Sequence, residues 1–193
     1  MLRFAIITDK TSSLRSQVDD YINGTQRLVL KTMGQIGVIG PADPLPEEYA
    51  IAQTVGRQIA GHHETLVCGG LSGIMEAACK GAKEQDGLTV GIVPDTSNGN
   101  GFLDIVIRTG IGHARNAIIA QSADAVIAIG GSYGTLSEIA IALKMKRPVF
   151  GIKTWDIKGV IQCMTPEEAV LRAVNAARLF PLYRTPRAGP ESP

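Results

Sequence analysis

One repeated unit constrains the fold of this chain more than any other feature. From Gln35 onward, a short apolar run is followed by a glycine-bearing turn and then by a stretch with helical periodicity. The apolar runs are continuous rather than alternating, which is typical of strands covered on both faces in a parallel sheet. The predicted strands are Ile36–Ile39, Thr65–Cys68, Thr89–Val93, Ile105–Ile107, Ala125–Ile129 and Val149–Ile152.

Helical stretches lie between and after these runs. Strands that alternate with helices favour right-handed crossovers. The predicted fold class is therefore α/β: a doubly wound, Rossmann-like, mainly parallel sheet with helices on both faces. The final helix has the clearest start, since Thr165 precedes a proline and two acids. The predicted helices are Pro46–Gly61, Gly73–Gln85, His113–Ser122, Thr135–Lys146 and Pro166–Leu179.

The length and residue distribution predict one main domain. The chain has 193 residues, of which 45% are hydrophobic, enough for a single sizeable core. We expect residues 1–33 to form an N-terminal extension and residues 34–180 a Rossmann-like ligand-binding domain. Residues 181–193 contain four prolines and predict a tail with little to bury.

Charge and cysteine content exclude several classes of protein. The formal net charge is +1 and no block of Lys or Arg stands out, so neither nucleic acid nor a membrane is an expected partner. No apolar run reaches the length of a transmembrane helix. The three cysteines are an odd number at unrelated spacings, which argues against a disulfide framework and a zinc site. We expect a cytoplasmic protein without a bound metal.

Glycine-rich turns follow the predicted strands, at Gly37–Pro41, Gly69–Gly73 and Gly130–Thr135. In a parallel sheet, ligands bind beyond the carboxyl ends of the strands. Glycine lets main-chain N–H groups approach an anion, and the following helix dipole adds partial positive charge. The pattern therefore predicts phosphate binding, although tight strand-to-helix connections would explain it too. The candidate binding residues in these turns are Gly70, Ser72, Gly73, Gly131, Ser132, Tyr133, Gly134 and Thr135.

Three familiar glycine motifs do not fit. A Walker loop ends in Gly-Lys-Ser/Thr, which occurs nowhere in the chain. The dinucleotide fingerprint is absent after the first strand, and Cys68-Gly69 stands where an acid is expected after the second. Residues 130–134 match Gly-x-Ser-x-Gly, but every histidine lies upstream of them, so the order of a serine-hydrolase triad fails.

Two charged residues flank the third turn. Arg115 lies in the first turn of one predicted helix, where a cation opposes the helix dipole unless an anion is near. Glu138 lies one turn inside the next helix. Alternative interpretations are that Glu138 completes a capping box with Thr135, and that Arg115 is a surface charge or pairs with Asp124. Because both helices leave the same edge of the sheet, we expect Arg115 and Glu138 to face one ligand cleft.

These motifs resemble the Lonely Guy superfamily, whose members are often labelled lysine decarboxylase-like. The resemblance rests on residues 68–76, the pair Arg115-Asn116 and residues 130–138, and it spans about residues 35–177. One branch of the superfamily consists of phosphoribohydrolases that release a free base and ribose 5-phosphate from nucleoside 5′-monophosphates. Another consists of molybdenum-cofactor carrier proteins, which bind a phosphorylated pterin without transforming it.

Departures from the hydrolase pattern favour the carrier branch. The hydrolase sequence Pro-Gly-Gly-x-Gly-Thr-x-x-Glu has Gly130 in place of its proline and Ser132 in place of a glycine, and its Arg-Lys pair is Arg115-Asn116 here. The resemblance implies a binding protein for a phosphorylated pterin or nucleotide, with Arg115 and Glu138 among the binding residues. No cofactor is then required, and molybdenum cofactor is the carried ligand.

The alternative is a phosphoribohydrolase in which Arg115 and Glu138 are catalytic, because they match the hydrolases' catalytic pair. A carboxylate could stabilise an oxocarbenium-like ribose or activate water. No second carboxylate is evident near Glu138 in the sequence. In either case the resemblance implies a homo-oligomer, a dimer or tetramer.

Overall fold

A computed structural model describes residues 33–179. Within this range the strands form one sheet of seven, in the order β4-β3-β2-β1-β5-β6-β7, and every neighbouring pair is parallel. The predicted parallel, doubly wound sheet is thereby confirmed. The strands are β1 (Gln35–Ile39), β2 (Thr65–Cys68), β3 (Thr89–Val93), β4 (Ile105–Arg108), β5 (Ala125–Ile129), β6 (Val149–Ile152) and β7 (Val160–Gln162).

Two of the described helices have the predicted bounds, and the other three differ from them at one or both ends. The helix expected from His113 begins as a 3₁₀ turn at Gly112–Arg115, and the one expected from Thr135 begins two residues earlier. The earlier start follows from Ser132, whose side chain accepts a hydrogen bond from the Thr135 N–H and caps the helix. The α-helices are α1 (Pro46–Gly61), α2 (Ile74–Lys83), α3 (Asn116–Ser122), α4 (Tyr133–Lys144) and α5 (Pro166–Leu179).

Two apolar clusters cover the two faces of the sheet, which confirms the prediction of helices on both. On one face, Val38 and Ile127 pack among residues of α1, α2 and α5. On the other, Val67 and Val126 pack among residues of α3 and α4. All four side chains are almost completely buried. Central strands enclosed in this way need the continuous Val and Ile runs that the sequence displays.

The strand order reverses between β1 and β5, which lie side by side with Val38 opposite Ile127. The chain leaves β1 toward one face and β5 toward the other, and this divergence opens a crevice at the carboxyl edge of the sheet. Gly40 directly follows β1 and lies close to β5. A Cβ added at Gly40 would lie 2.6 Å from the carbonyl oxygen of Ile129. The candidate site lies at this edge.

Strand β7 was not predicted. It has three residues at the edge of the sheet and is largely exposed, so its apolar signal is short. The predicted extension (apart from Met33) and the predicted tail lie outside the described residues. Between residues 33 and 179, no helix combines the length and apolar character needed to cross a membrane.

Candidate ligand-binding site at the carboxyl edge of the sheet

Arg115 ends the 3₁₀ turn and is 5% exposed. Its guanidinium donates to the carbonyl oxygen of Gly69 at 3.2 Å, to Asn116 Oδ1 at 2.9 Å and to Glu138 Oε1 at 3.2 Å. Arg115 is therefore neither a surface charge nor a partner of Asp124, whose carboxylate accepts from a main-chain N–H of β1. Arg115 and Glu138 form an ion pair, and the expectation that they face a ligand cleft stays a prediction.

Glu138 is the sixth residue of α4 and is 7% exposed. Since Ser132 caps this helix and the Glu138 carboxylate binds Arg115, the capping-box interpretation is wrong. Burial raises the pKa of Glu138 to about 7, because the cost of desolvating the carboxylate exceeds the opposing effect of Arg115. Burial also lowers the pKa of Arg115. For both residues, the effect of desolvation on the pKa is therefore larger than the opposing effect of the ion pair.

The surroundings of Arg115 fix its position. Asn116 accepts from Arg115 and donates through Nδ2 to Ser137 Oγ at 2.8 Å, and Ser137 in turn donates to the Gly134 carbonyl oxygen. A Cβ added at Gly69 would lie 2.5 Å from the guanidinium. A glycine at this position is what allows the arginine to lie against the β2 turn.

One donor of this arginine is unsatisfied. The buried Nε of Arg115 has no hydrogen-bond partner within residues 33–179. A buried donor left unpaired costs roughly 1–3 kcal/mol. The guanidinium therefore keeps one unused donor, which the surrounding protein encloses and which an anionic ligand could reach only if those surroundings move.

The β5–α4 turn, residues 130–135, is open at its centre. Gly131 and Tyr133 are exposed, and Tyr133 is 86% exposed, so this ring does not fill the site. The Ser132 hydroxyl accepts from the Thr135 N–H at 3.4 Å and also pairs with the Thr135 hydroxyl at 3.1 Å. The described part of the chain offers no acceptor to the N–H groups of Tyr133 and Gly134. These groups and the dipole of the 12-residue helix α4 favour an anion.

The β2–α2 turn, residues 69–73, has a different environment. Gly70 and Gly73 are buried and have φ values of 71° and 69°. The Gly70 carbonyl accepts from the Asn100 N–H at 2.8 Å, and the Ile74 N–H donates to the Pro41 carbonyl at 3.1 Å. Neighbouring loops therefore already bind much of this turn.

Ser72 is the exposed member of the β2–α2 turn. Its hydroxyl donates to the carbonyl oxygen of Ala42 at 3.3 Å, a long and replaceable bond. The structure thus brings Arg115 and Glu138 into contact and leaves the β5–α4 turn accessible. Ligand contacts by Gly70, Ser72 and Gly73 stay a prediction.

Two side chains that the sequence did not single out also lie at the β5–α4 turn. Trp155, from the loop after β6, donates through Nε1 to the Ser132 carbonyl oxygen at 3.4 Å. The carboxylate of Glu48, in the first turn of α1, comes within 2.6 Å of the place where a Cβ on Gly130 would be. Trp155 is the only tryptophan of the chain and follows a strand, a signal that could have identified it. Nothing local marks Glu48.

The described residues contain no candidate metal site. Between Met33 and Leu179, no three His, Cys, Asp or Glu side chains are grouped so that they could hold a metal ion. The cysteines are free and buried, and the Sγ atoms of Cys68 and Cys79 are 3.5 Å apart.

The fold and the site define a class: a Rossmann-like domain with a buried arginine–glutamate pair beside an open helix N-terminus at the carboxyl edge of the sheet. The sequence profile of the SLOG cluster4 family matches residues 33–180. The chain belongs to this family.

Individual relatives agree with this assignment. An uncharacterized protein of Archaeoglobus fulgidus is 49% identical over 145 residues, which are 74% of this chain and 96% of that protein. A probable cytokinin riboside 5′-monophosphate phosphoribohydrolase of rice, LOGL9, is 30% identical over 93 residues, 46% of this chain and 41% of that enzyme.

Solved structures extend the comparison. The molybdenum cofactor binding protein of Rippkaea orientalis superimposes with a TM-score of 0.69 at 38% identity, covering 73% of this chain and 95% of that one. The molybdenum cofactor carrier protein of Chlamydomonas reinhardtii gives a TM-score of 0.69 at 38% identity, covering 74% of this chain and 98% of that one. The resemblance to the Lonely Guy superfamily, and within it to the carrier proteins, is confirmed.

Proposed function

We propose that this protein is a binding protein of the molybdenum-cofactor carrier type, which holds a phosphorylated pterin without transforming it. The observation that carries the proposal is the open β5–α4 turn beside a buried arginine with an unsatisfied donor. The similarity to two proteins described as binding or carrying molybdenum cofactor, over nearly their whole length, supports the choice of ligand.

The phosphate would bind at the N-terminus of α4. The N–H groups of Tyr133 and Gly134 would donate to its oxygen atoms, and the hydroxyl of Ser132 would add a third donor. Arg115 would supply positive charge and orientation, with its Nε as the additional donor. These main-chain N–H, hydroxyl and guanidinium donors would bind a monoester dianion without a metal ion.

The β2–α2 turn would shape the wall of the site. Gly70 and Gly73 would keep the turn compact, and Ser72 would release the Ala42 carbonyl to donate to the ligand. Glu138 would hold the guanidinium in place and balance its charge in the absence of ligand. Of these roles, only donation by Ser72 was predicted from the sequence, whereas Gly70, Gly73 and Glu138 were predicted to contact the ligand.

One specific observation favours a second function, that of a nucleoside 5′-monophosphate phosphoribohydrolase. Glu138 has a pKa of about 7, so it can give a proton to a departing base near neutral pH. Water would add to C1′ of the ribose as the C1′–N bond breaks and would pass a proton back to the Glu138 carboxylate, giving the free base and ribose 5-phosphate. The tertiary structure also brings a second carboxylate, Glu48, to the turn. The similarity to the rice enzyme covers only part of either chain.

Calorimetric titration with a pterin monophosphate, together with incubation with AMP, tests the proposal. We expect saturable binding of the pterin ester and no release of adenine. The Arg115→Lys variant should bind at least about tenfold more weakly, because a point charge replaces the planar donor set. Arg57→Lys, an exposed arginine paired with Glu84, is the matched control and should bind as the parent does.

Two results would decide against the carrier function. Release of adenine that disappears in Glu138→Gln would establish the hydrolase instead. Failure of the parent protein to bind either ester or inorganic phosphate would remove both functions. The hydrolase needs the proton of Glu138, whereas the carrier needs only its hydrogen bond to Arg115.

We further propose a homo-oligomer, dimer or tetramer, in the cytoplasm. Similarity to the family supports the assembly, and the free cysteines within residues 33–179 suit a reducing compartment. Light scattering coupled to size-exclusion chromatography measures the subunit number, and a monomer at micromolar concentration would contradict the assembly. Cell fractionation tests the location.

A further inference from the structure

Trp155 lies flat against the β5–α4 turn. Three atoms of its indole, Nε1, Cδ1 and Cε2, come within 3.0–3.4 Å of the place where a side chain on Gly131 would begin. Glycine at residue 131 is therefore what admits the ring. The indole N–H donates to the Ser132 carbonyl, and the Trp155 carbonyl accepts from Gln162 Nε2 at 3.1 Å. One face of the ring therefore packs on the turn, while 38% of the residue is exposed.

Tyr133 provides a second aromatic ring beside the same turn. It is the first residue of α4 and is 86% exposed, and among the exposed large apolar residues of the described chain only Met164 exceeds it. Two exposed aromatic rings that flank free main-chain N–H groups have no role in the core. Anion binding by the N–H groups does not use them either.

We propose that Trp155 and Tyr133 bind the planar heteroaromatic part of the ligand, so that the site takes monophosphate esters carrying a purine or pterin ring in preference to aliphatic phosphates. This inference rests on the proposed function, since the phosphate fixes the ligand at the N-terminus of α4. Aromatic side chains stack on the π face of a flat heterocycle, and a ring held in place beforehand loses little entropy on stacking.

The chain carries its own reporter for this contact. Because Trp155 is the only tryptophan, the intrinsic tryptophan fluorescence reports on the proposed stacking residue alone. We would titrate the full-length protein with inorganic phosphate, ribose 5-phosphate, AMP and adenosine, with absorbance correction for the nucleotides. AMP should quench or shift the emission. Inorganic phosphate and ribose 5-phosphate should bind, as measured by calorimetry, with little change in emission.

Substitutions separate the contribution of the ring from that of the phosphate. Trp155→Leu should weaken AMP binding about tenfold and leave ribose 5-phosphate binding unchanged. Trp155→Phe, which keeps a flat ring, should retain most of the affinity for AMP. Tyr133→Ala should produce a smaller loss with the same selectivity. A thermal melt of each variant checks that the fold is intact.

The two proposals fail in different ways. If inorganic phosphate and ribose 5-phosphate do not bind the parent protein, the proposed function fails. If they bind, but AMP binds no more tightly than ribose 5-phosphate and leaves the emission unchanged, the aromatic subsite is refuted. Equal losses for AMP and ribose 5-phosphate in Trp155→Leu would show that Trp155 only supports the turn, and this result also overturns the inference.

Discussion

The β2–α2 turn and the β5–α4 turn have similar glycine-rich sequences and follow neighbouring regions of one sheet, but their glycines meet different demands. At Gly73, a Cβ would lie 2.5 Å from the main chain of Pro41 and Ala42. At Gly134, the nearest atom to an added Cβ is the Ser132 hydroxyl, at 3.6 Å. The main chain of residues 41 and 42 fills the space beside Gly73, whereas the space beside Gly134 is open even though Glu48 and Trp155 crowd the two glycines before it.

A glycine cluster at a strand end therefore does not by itself mark a ligand site. In the β2–α2 turn, glycine permits positive φ and close packing of main chain on main chain. In the β5–α4 turn, it leaves main-chain N–H groups uncovered. The binding chemistry that we propose therefore depends on the β5–α4 turn. The β2–α2 turn positions Arg115, whose guanidinium donates to the Gly69 carbonyl oxygen.

The largest expected effect is a difference in stability between alanine substitutions in the two turns. Gly73→Ala should lower the free energy of unfolding by about 3 kcal/mol or more, because it combines a φ of 69° with a main-chain clash. Gly134→Ala, within α4, should be neutral or stabilise the protein by up to about 1 kcal/mol. Urea unfolding measures both. Equal destabilisation by the two substitutions would show that the turns are packed alike.

The next prediction concerns stability and pH. The folded protein holds a proton on Glu138 up to a pKa of about 7, whereas the unfolded chain loses it near 4.5. Stability contributed by this group is therefore present below about pH 4.5 and declines as pH rises to about 7, by roughly 3 kcal/mol at most.

Urea unfolding at pH 5 and pH 8 checks this slope. The difference between the two pH values should be smaller in Glu138→Gln than in the parent protein, since all other carboxylates titrate in both. An identical difference would mean that Glu138 keeps an ordinary pKa in the folded state, as expected if Arg115 compensated its burial completely.

A third prediction concerns the pH dependence of anion binding at the β5–α4 turn. Sulfate does not titrate in this pH range, so its affinity reports on the protein alone. As pH falls from 8 to 6, Glu138 becomes neutral and no longer balances the charge of Arg115, and sulfate should bind about tenfold more tightly. In Glu138→Gln the affinity should not vary with pH. Both proteins would carry His113→Asn, since His113 is exposed near Arg115.

The smallest expected effect concerns Glu48, whose carboxylate lies beside Gly130. Glu48→Gln should strengthen sulfate binding about threefold, because it removes a like charge at the turn. Glutamine preserves the hydrogen bond to the Leu45 N–H that Glu48 makes at 2.8 Å. Glu47→Gln is the control, since Glu47 is exposed and paired with Lys153. Equal gains from both substitutions would reflect general charge rather than proximity to the turn.

Much of the fold could be predicted because its signals are local. Six of the strands between residues 33 and 179 have apolar runs bounded by glycine or polar residues, buried in all but β4, and their predicted ends agree with the structure to within one residue. Strand β7 could not be predicted, since three half-exposed residues carry too little hydrophobic pattern. The start of α4 was misplaced because Thr135 and Ser132 are equally good caps in sequence, and only packing selects Ser132.

The site was predictable in part for the same reason. Arg115 and Glu138 were identified because each stands at the start of a helix that leaves the carboxyl edge. Their contact, 23 residues apart in the chain, follows from the parallel sheet. Trp155 comes to the β5–α4 turn from the loop after β6 and Glu48 from the first turn of α1, and no local pattern shows that either side chain reaches this turn.

The amino-acid sequence alone determined the parallel sheet, its glycine turns and the edge at which ligands can bind, because the strand pattern and the turn residues act over a few neighbouring positions. The tertiary structure decided which glycine turn is filled and which is open. It also decided that Arg115 is buried against Glu138 with one donor unsatisfied. Burial, exposure and the resulting charge balance depend on atoms brought together from distant parts of the chain, and no local pattern records them.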